Sequence, residues 1–214
     1  ANVGFVVDPD VDRLAIVDEN GEFFGEEYTL VAIADYLLGL NGGGNTVSNL
    51  SSTRALRDVT ARHGGKYEAA AVGEVNVVTK MKEIGALIGG EGNGGVILPE
   101  LHYGRDALVG IALFLTHMAK RKEMVSRIRS EYPAYFMSKQ RVDTPAGTDT
   151  QRLLQTMFER YKNEQISTVD GVKIDFPDSW SNTEPIVRIY TEARTEKEAQ
   201  DLADRFRSEI EREL

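Results

Sequence analysis

The chain contains no cysteine, so disulfides and thiolate chemistry are excluded. That absence fits a cytosolic protein. Histidine is scarce: His63, His102 and His117 are the three, and they show no metal-ligand spacing. His63 before Gly-Gly and His117 on an apolar helix read as structural, and His102 as close to a site. No apolar run approaches the ~18 residues that cross a membrane. The opening "ANVGFVVDPD" has neither a charged leading segment nor a long apolar core, so it does not read as a signal peptide. It also lacks an initiating methionine and starts inside a strand-like run, as part of a larger polypeptide would. Positive charge is the minority, 25 Lys+Arg against 34 Asp+Glu, for a formal charge of −9. That balance argues against a nucleic-acid partner. It leaves room for an anionic small substrate at a local basic site.

What is present is a 214-residue chain with 41% apolar residues, the composition of a globular protein of one to three domains. Residues 3–7 and 14–18 read as strands. "ENGE", 19–22, carries the Asn-Gly signal of a hairpin turn. Leu30, Ile33, Ala34, Leu37 and Leu38 recur at helical spacing over 26–40, with Glu26 and Glu27 at the positive helix start. "NGGGN", 41–45, is a break. Beyond it come a strand at 46–50, a helix at 52–63 stopped by Gly64-Gly65, and a strand at 67–72. A helix in "VGEVNVVTKMKEIG" follows, with Gly85 as C-cap, then the strand "ALIGG". A helix over 106–121 takes Asp106 as N-cap, and a shorter one over 121–131 ends at "EYP". Alternation of this kind specifies parallel pairing. From 134 the pattern changes to a strand in "YFMSKQRV", a helix at 149–163, a strand at 171–176 and a closing helix over 196–213. The expected architecture is α/β throughout. It comprises the end of one α/β domain (1–41), a complete α/β sandwich with mainly parallel pairing (42–131), and a C-terminal α+β domain with an antiparallel sheet (132–214).

Three stretches carry chemistry. "DPDVDR", 8–13, sets Asp8, Asp10 and Asp12 on alternate positions after a buried strand. Like charges so close repel, and a divalent cation is the natural compensation. A calcium EF-hand would need Gly where Arg13 stands, and "LAIV" reads as strand. Mg²⁺ fits better, because it takes few protein carboxylates and leaves room for phosphate, with Arg13 beside it. "GGEGNGG", 89–95, contains a formal G-x-G-x-x-G, but "VILP" follows instead of a helix, which excludes a dinucleotide fold. Its glycines let a backbone approach a ligand closely, while Glu91 and Asn93 suit sugar hydroxyls. "SNTEP", 181–185, reads as a turn whose hydroxyls and N–H groups hold phosphate oxygens.

Together the three stretches, in this order, resemble the α-D-phosphohexomutase superfamily, which includes phosphoglucomutase, phosphomannomutase and phosphoglucosamine mutase. The resemblance covers essentially the whole chain. It implies a four-domain enzyme in which a phosphoserine of the first domain exchanges a phosphoryl group with a hexose phosphate, through a hexose 1,6-bisphosphate intermediate. It also implies that Asp8, Asp10 and Asp12 hold one Mg²⁺, that Arg13 supports the phosphoryl group, that Glu91 and Asn93 read sugar hydroxyls, and that Ser181, Asn182 and Thr183 bind the other phosphate. Asn93, where a serine is common, points to the phosphoglucosamine/phosphomannose branch. No stretch here matches the family's Thr-x-Ser-His-Asn-Pro nucleophile loop, so N-terminal domains of the same polypeptide are expected partners and the chain alone is expected to be inactive. The family arginine ahead of the phosphate loop is also missing, with Ser179 at its place. A chain break between Trp180 and Ser181, hiding a strand and that arginine, is the expectation. The rival readings are a non-catalytic sugar-phosphate-binding module and a Mg²⁺-dependent phosphatase with Asp8 as nucleophile.

Overall fold

A computed structural model describes residues 1–145, 147–183 and 187–214. The chain divides into two compact units, Ala1–Pro133 and Ala134–Leu214.

The first unit opens with β1 (Gly4–Val7) and β2 (Leu14–Val17), an antiparallel pair that brackets the acidic loop. The expected turn follows. Asp18 Oδ1 accepts the N–H groups of Asn20 and Glu22 at 2.8 and 2.9 Å, and Gly21 takes φ 86°. Helix α1 (Glu26–Asn41) ends on the left-handed Gly42. Then come β3 (Asn45–Asn49), α2 (Ala55–Arg62), β4 (Tyr67–Ala70), α3 (Glu74–Ile84), β5 (Ala86–Glu91) and β6 (Gly95–Ile97). Helices α4 (Ala107–Arg121) and α5 (Val125–Ser130) close the unit. The sheet runs β4-β3-β5-β6; β3 is parallel to both β4 and β5, whereas β6 returns antiparallel. Gly85 and Asp106 cap α3 and α4 as expected, and the Asp106 side chain accepts from the N–H of Leu108 and Val109.

The sheet is covered on both faces. Gly89 faces α3, where a Cβ would stand 2.5 Å from Met81 Sδ, and Gly90 faces α1, where it would meet Leu30 at 3.2 Å. Val47, Val77, Met81 and Ile97 are fully buried on the α3 side. One buried polar cluster in this unit is bonded together around Asp35. Asp35 collects Arg62 Nη2 at 2.8 Å, His63 Nε2 at 2.7 Å and Tyr132 OH at 3.3 Å. These contacts hold its carboxyl below the usual range against the opposing effect of burial. His117 is buried beside Tyr132, and desolvation lowers its pKa. Both histidines are structural.

The second unit is α+β: β7 (Phe136–Arg141), α6 (Thr150–Arg160), β8 (Gln165–Ser167), β9 (Val172–Asp175), β10 (Trp180–Thr183), β11 (Arg188–Ala193) and α7 (Glu196–Glu211). The sheet is antiparallel throughout, in the order β7-β11-β10-β9-β8. Leu153, Met157, Ile174, Ile189, Phe206 and Ile210 form its core. A reciprocal capping box between Thr195 and Glu198 starts α7.

Here one expectation fails: 181–183 are strand, not the turn that "SNTEP" suggested, and Trp180 and Ser181 follow one another in β10. The remainder of that motif, 184–186, lies outside the described residues. The physical reason is pairing. The β9–β10 hairpin closes with Phe176 N–H on Ser179 O at 2.8 Å, so the strand needed to fill the gap between β9 and β11 begins at Trp180 at once. Ser181, Asn182 and Thr183 are drafted into that strand and are at most 1% exposed. Ser181 lies between Ile174 and Thr191 in the ladder. Its Oγ is buried without a hydrogen-bond partner among the described residues, as are both amide atoms of Asn182.

A buried hydroxyl without a partner costs roughly 1–3 kcal/mol. Ser181→Ala is therefore expected to stabilise the second unit by about 1–2 kcal/mol, the lower part of that range, since Ser181 Oγ is the atom relieved. Urea unfolding followed by Trp180 fluorescence measures it. A destabilised variant would mean that the hydroxyl has a role the strand geometry does not show.

Candidate active site

The site lies in the first unit, where two loops from distant parts of the sequence meet. Between β1 and β2 the chain turns sharply, with Val11 N–H on Asp8 O at 3.0 Å and Val11 at φ 59°. A β-branched residue at positive φ is strained. The turn leaves carboxylate oxygens of Asp8, Asp10 and Asp12 within 4.8 Å of one another. Asp8 Oδ1 accepts the N–H groups of Asp12 and Arg13, both at 3.1 Å. Arg13 Nε stands 3.7 Å from Asp8 Oδ2 and 3.7 Å from Asp12 Oδ1, with half of its side chain open to solvent.

The two outer carboxyls are pushed apart. Desolvation raises Asp12, and the nearby Asp8 carboxylate adds to it, against the pull of Arg105. Desolvation acts on Asp8 in the same sense, but the N–H groups of Arg13 and Asp12 outweigh it and hold Asp8 below its usual range. Asp12 Oδ1 is buried with no hydrogen-bond donor among the described residues. A donor-free oxygen in a cluster of three carboxylates is what a hard divalent cation requires, so these residues fit Mg²⁺.

The glycine-rich loop joins β5 to β6 directly against the acidic loop. Leu14 N–H donates to Gly94 O at 3.1 Å, and Arg13 bridges Gly95. Gly94 must be glycine here, since at φ 88° its Cβ would lie 2.4 Å from Leu14 O. Gly92 is less constrained: a Cβ would stand 1.9 Å from Glu27 Oε2, the far end of a side chain that can move aside. Glu91, at the end of β5, is 4% exposed and well bonded. Its Oε1 accepts from Asn49 Nδ2 at 2.8 Å and Gly73 N–H at 3.3 Å, and its Oε2 from Arg105 Nη1 at 2.7 Å. Asn93 is half-buried, and its Oδ1 accepts the N–H of Gly95 at 3.1 Å, closing the loop's own turn.

Thus Asp8, Asp10, Asp12, Arg13, Glu91 and Asn93 come together in one unit. Ser181, Asn182 and Thr183 belong to the other unit and are buried within its sheet. His102 lies on the rim, with Nε2 3.0 Å from Asp106 Oδ2. Sequence reasoning missed the residue at the centre. Arg105 pairs through Nη2 with Asp12 Oδ2 and donates through Nη1 to Glu91, and its Nε sits 3.0 Å from Glu74 Oε2 as an ion pair. It also missed Asn49 and Ser52, which lead from Glu91 to the glycine loop: Ser52 Oγ donates to Asn49 Oδ1 at 2.6 Å and accepts Gly92 N–H at 2.8 Å. No motif spacing marks these residues; the Gly-Arg-Asp run at 104–106 reads in sequence only as a helix cap.

Cation binding needs Asp12 ionised, and its raised pKa makes that ionisation fail at a higher pH than for an ordinary aspartate. Mg²⁺ affinity of the chain is therefore expected to weaken as pH falls, beginning at a higher pH than an ordinary aspartate would require. It should all but vanish in Asp10→Ala at any pH. Calorimetric titration checks both, and equal affinity in the wild type and Asp10→Ala would remove the cation from these residues.

Residues 25–135 match the phosphoglucomutase/phosphomannomutase alpha/beta/alpha domain III, and residues 141–209 match the C-terminal domain of the same family. A phosphoglucomutase/phosphomannomutase of Thermococcus kodakarensis is 35% identical over 211 residues, covering 95% of this chain and 46% of the relative. A probable phosphoglucosamine mutase of Methanopyrus kandleri is 31% identical over 213 residues, covering 96% and 47%. Among solved structures, a putative phosphomannomutase from Thermus thermophilus superposes with a TM-score of 0.79 at 27% identity, over 98% of this chain and 46% of that one. The chain spans about half the length of the curated relatives it matches. With a family model covering more than half of its residues, and its acidic and glycine-rich loops brought together, the chain belongs to the phosphoglucomutase/phosphomannomutase family.

Proposed function

We propose that this chain contributes the cation-binding and sugar-binding parts of a phosphohexomutase that interconverts hexose 1-phosphates and 6-phosphates. The observation that carries the reading is the junction of the Asp8–Asp12 loop with the Glu91–Gly95 loop, made by Leu14 and Gly94 and by Arg105. A phosphoryl group in flight carries charge on its oxygens, and its transfer depends on positioning and electrostatics. Mg²⁺ on Asp8, Asp10 and Asp12 would supply neutralisation of that charge. Arg13, half exposed beside two of these carboxylates, presents a guanidinium to the same place. Glu91, held on three sides, keeps a carboxylate with remaining lone-pair capacity for a sugar hydroxyl, next to the Asn93 amide.

The candidate hexoses are glucosamine, mannose and glucose, since a relative 35% identical to this chain is named a phosphoglucomutase/phosphomannomutase and one 31% identical a probable phosphoglucosamine mutase. The phosphoserine is not among these residues, since no Ser-His nucleophile loop occurs in the 214. We assign no phosphate site to 181–183, whose side chains are buried in β10. The intracellular setting follows the cysteine-free composition and the sugar-phosphate chemistry.

The test uses the full-length polypeptide that contains this chain, phosphorylated on its serine, with glucosamine 1-phosphate, mannose 1-phosphate and glucose 1-phosphate in turn. Mg²⁺-dependent formation of the 6-phosphate is expected from at least one of them. Asp10→Ala should reduce kcat/KM by at least two orders of magnitude, as expected when charge stabilisation of the transferring group is lost. In Glu91→Gln it should fall about 10- to 100-fold, the loss of charge-assisted hydrogen bonds of roughly 1.5–3 kcal/mol. Release of inorganic phosphate without the isomer would turn the reading to a phosphatase, and binding without turnover to a sugar-phosphate-binding module.

A further inference from the structure

We propose that Arg105 is a positioning residue that couples the acidic loop to the glycine-rich loop, so that a cation on Asp8, Asp10 and Asp12 sets the sugar-facing backbone of Gly92–Gly95. The proposal rests on the cation reading above and goes beyond it. Three side-chain nitrogens of Arg105 meet three carboxylates from three segments. Nη2 takes Asp12 of the β1–β2 loop, Nε faces Glu74 at the start of α3, and Nη1 takes Glu91 at the end of β5. A planar fork fixes the directions of the three contacts, whereas an ammonium group is a compact point charge that leaves them free. The division of labour on Asp12 is the telling detail. Arg105 holds Oδ2, and Oδ1 is buried with no hydrogen bond among the described residues, Arg13 Nε standing 3.7 Å from it. A cation drawing on Oδ1 therefore pulls on a carboxylate already tied through Arg105 to Glu91.

The guanidinium is itself placed by the glycine loop. Residue 105 bridges Ile97, and Asp106 N–H donates to Val96 O at 2.9 Å, which fixes the backbone on β6. The side chain then crosses over Gly95, where a Cβ would lie 2.5 Å from Arg105 Cδ. The bland alternative is a structural ion pair that only offsets repulsion among the acids. Under that alternative any cation at 105 would serve, and lysine would replace arginine without consequence.

The experiment follows backbone amide resonances of the 214-residue chain during titration with Mg²⁺ alone. In the wild type, the amides of Asp8–Arg13 and those of Gly92, Gly94 and Gly95 are expected to shift with one common midpoint. In Arg105→Lys the charge stays and the fork is lost. The acidic loop should then shift with a midpoint about 10- to 100-fold higher, the usual loss when a residue orienting a metal ligand is removed. The glycine amides should no longer follow. Gly95→Ala displaces the arginine without removing it, and it should reproduce this behaviour should Arg105→Lys fail to fold. A lysine variant with the wild-type midpoint and a responsive glycine loop overturns the proposal. So does a wild type in which the acidic loop shifts and Gly92–Gly95 stay silent; the cation reading would survive that result. No shift anywhere in the wild type would overturn the cation reading and the coupling together.

Discussion

Electrostatic repulsion is the constraint around which the first unit is organised. Asp12, Glu74 and Glu91 come from three separate segments, and all three reach the same guanidinium. Carboxylates brought this close, partly out of water, repel by several kcal/mol unless a cation stands among them. Burial works against the charge of Arg105, but Glu91, Asp12 and Glu74 outweigh it and hold the group ionised. The ends of β1, β5 and α3 can converge because that one side chain reconciles their charges. Asp8 and Asp10 lie outside its reach, and the backbone N–H groups on Asp8 are the local substitute.

The glycines serve the same convergence. Gly92 and Gly94 are placed where a Cβ would collide with Glu27 and with the backbone of Leu14, and Gly95 where it would collide with Arg105. The loop is thus not merely flexible. It is thin, so that acidic and sugar-facing segments can approach to backbone hydrogen-bond distance. Asn49 and Ser52 then brace it from behind through Glu91 and Gly92.

The second unit shows how far pairing can override a motif. Ser-Asn-Thr before Glu-Pro has the composition of a turn, yet a five-stranded antiparallel sheet with a gap between β9 and β11 takes those residues as its central strand. The ladder pairs their backbone groups and leaves the hydroxyl of Ser181 and the amide of Asn182 buried without a hydrogen-bond partner among the described residues. Trp180 fares better, with Nε1 on Glu192 at 2.7 Å and Lys173 over its ring at 4.1 Å.

Much of this was legible in the residues themselves. Helical periodicity identified α1 and α4, Asn20-Gly21 the turn after β2, Gly85 and Asp106 the caps of α3 and α4, and the alternation of strands and helices the mainly parallel sheet of the first unit. These are local signals, set by backbone geometry and by the spacing of apolar side chains. Alternate spacing likewise marked Asp8, Asp10 and Asp12 as one cluster. Tertiary structure alone decided the rest. It made β8 and β10 strands, because a strand's partners lie elsewhere in the chain. It also chose Arg105 as the cation among the acids, because which charges meet depends on how distant segments fold back on one another, and no local pattern carries that information.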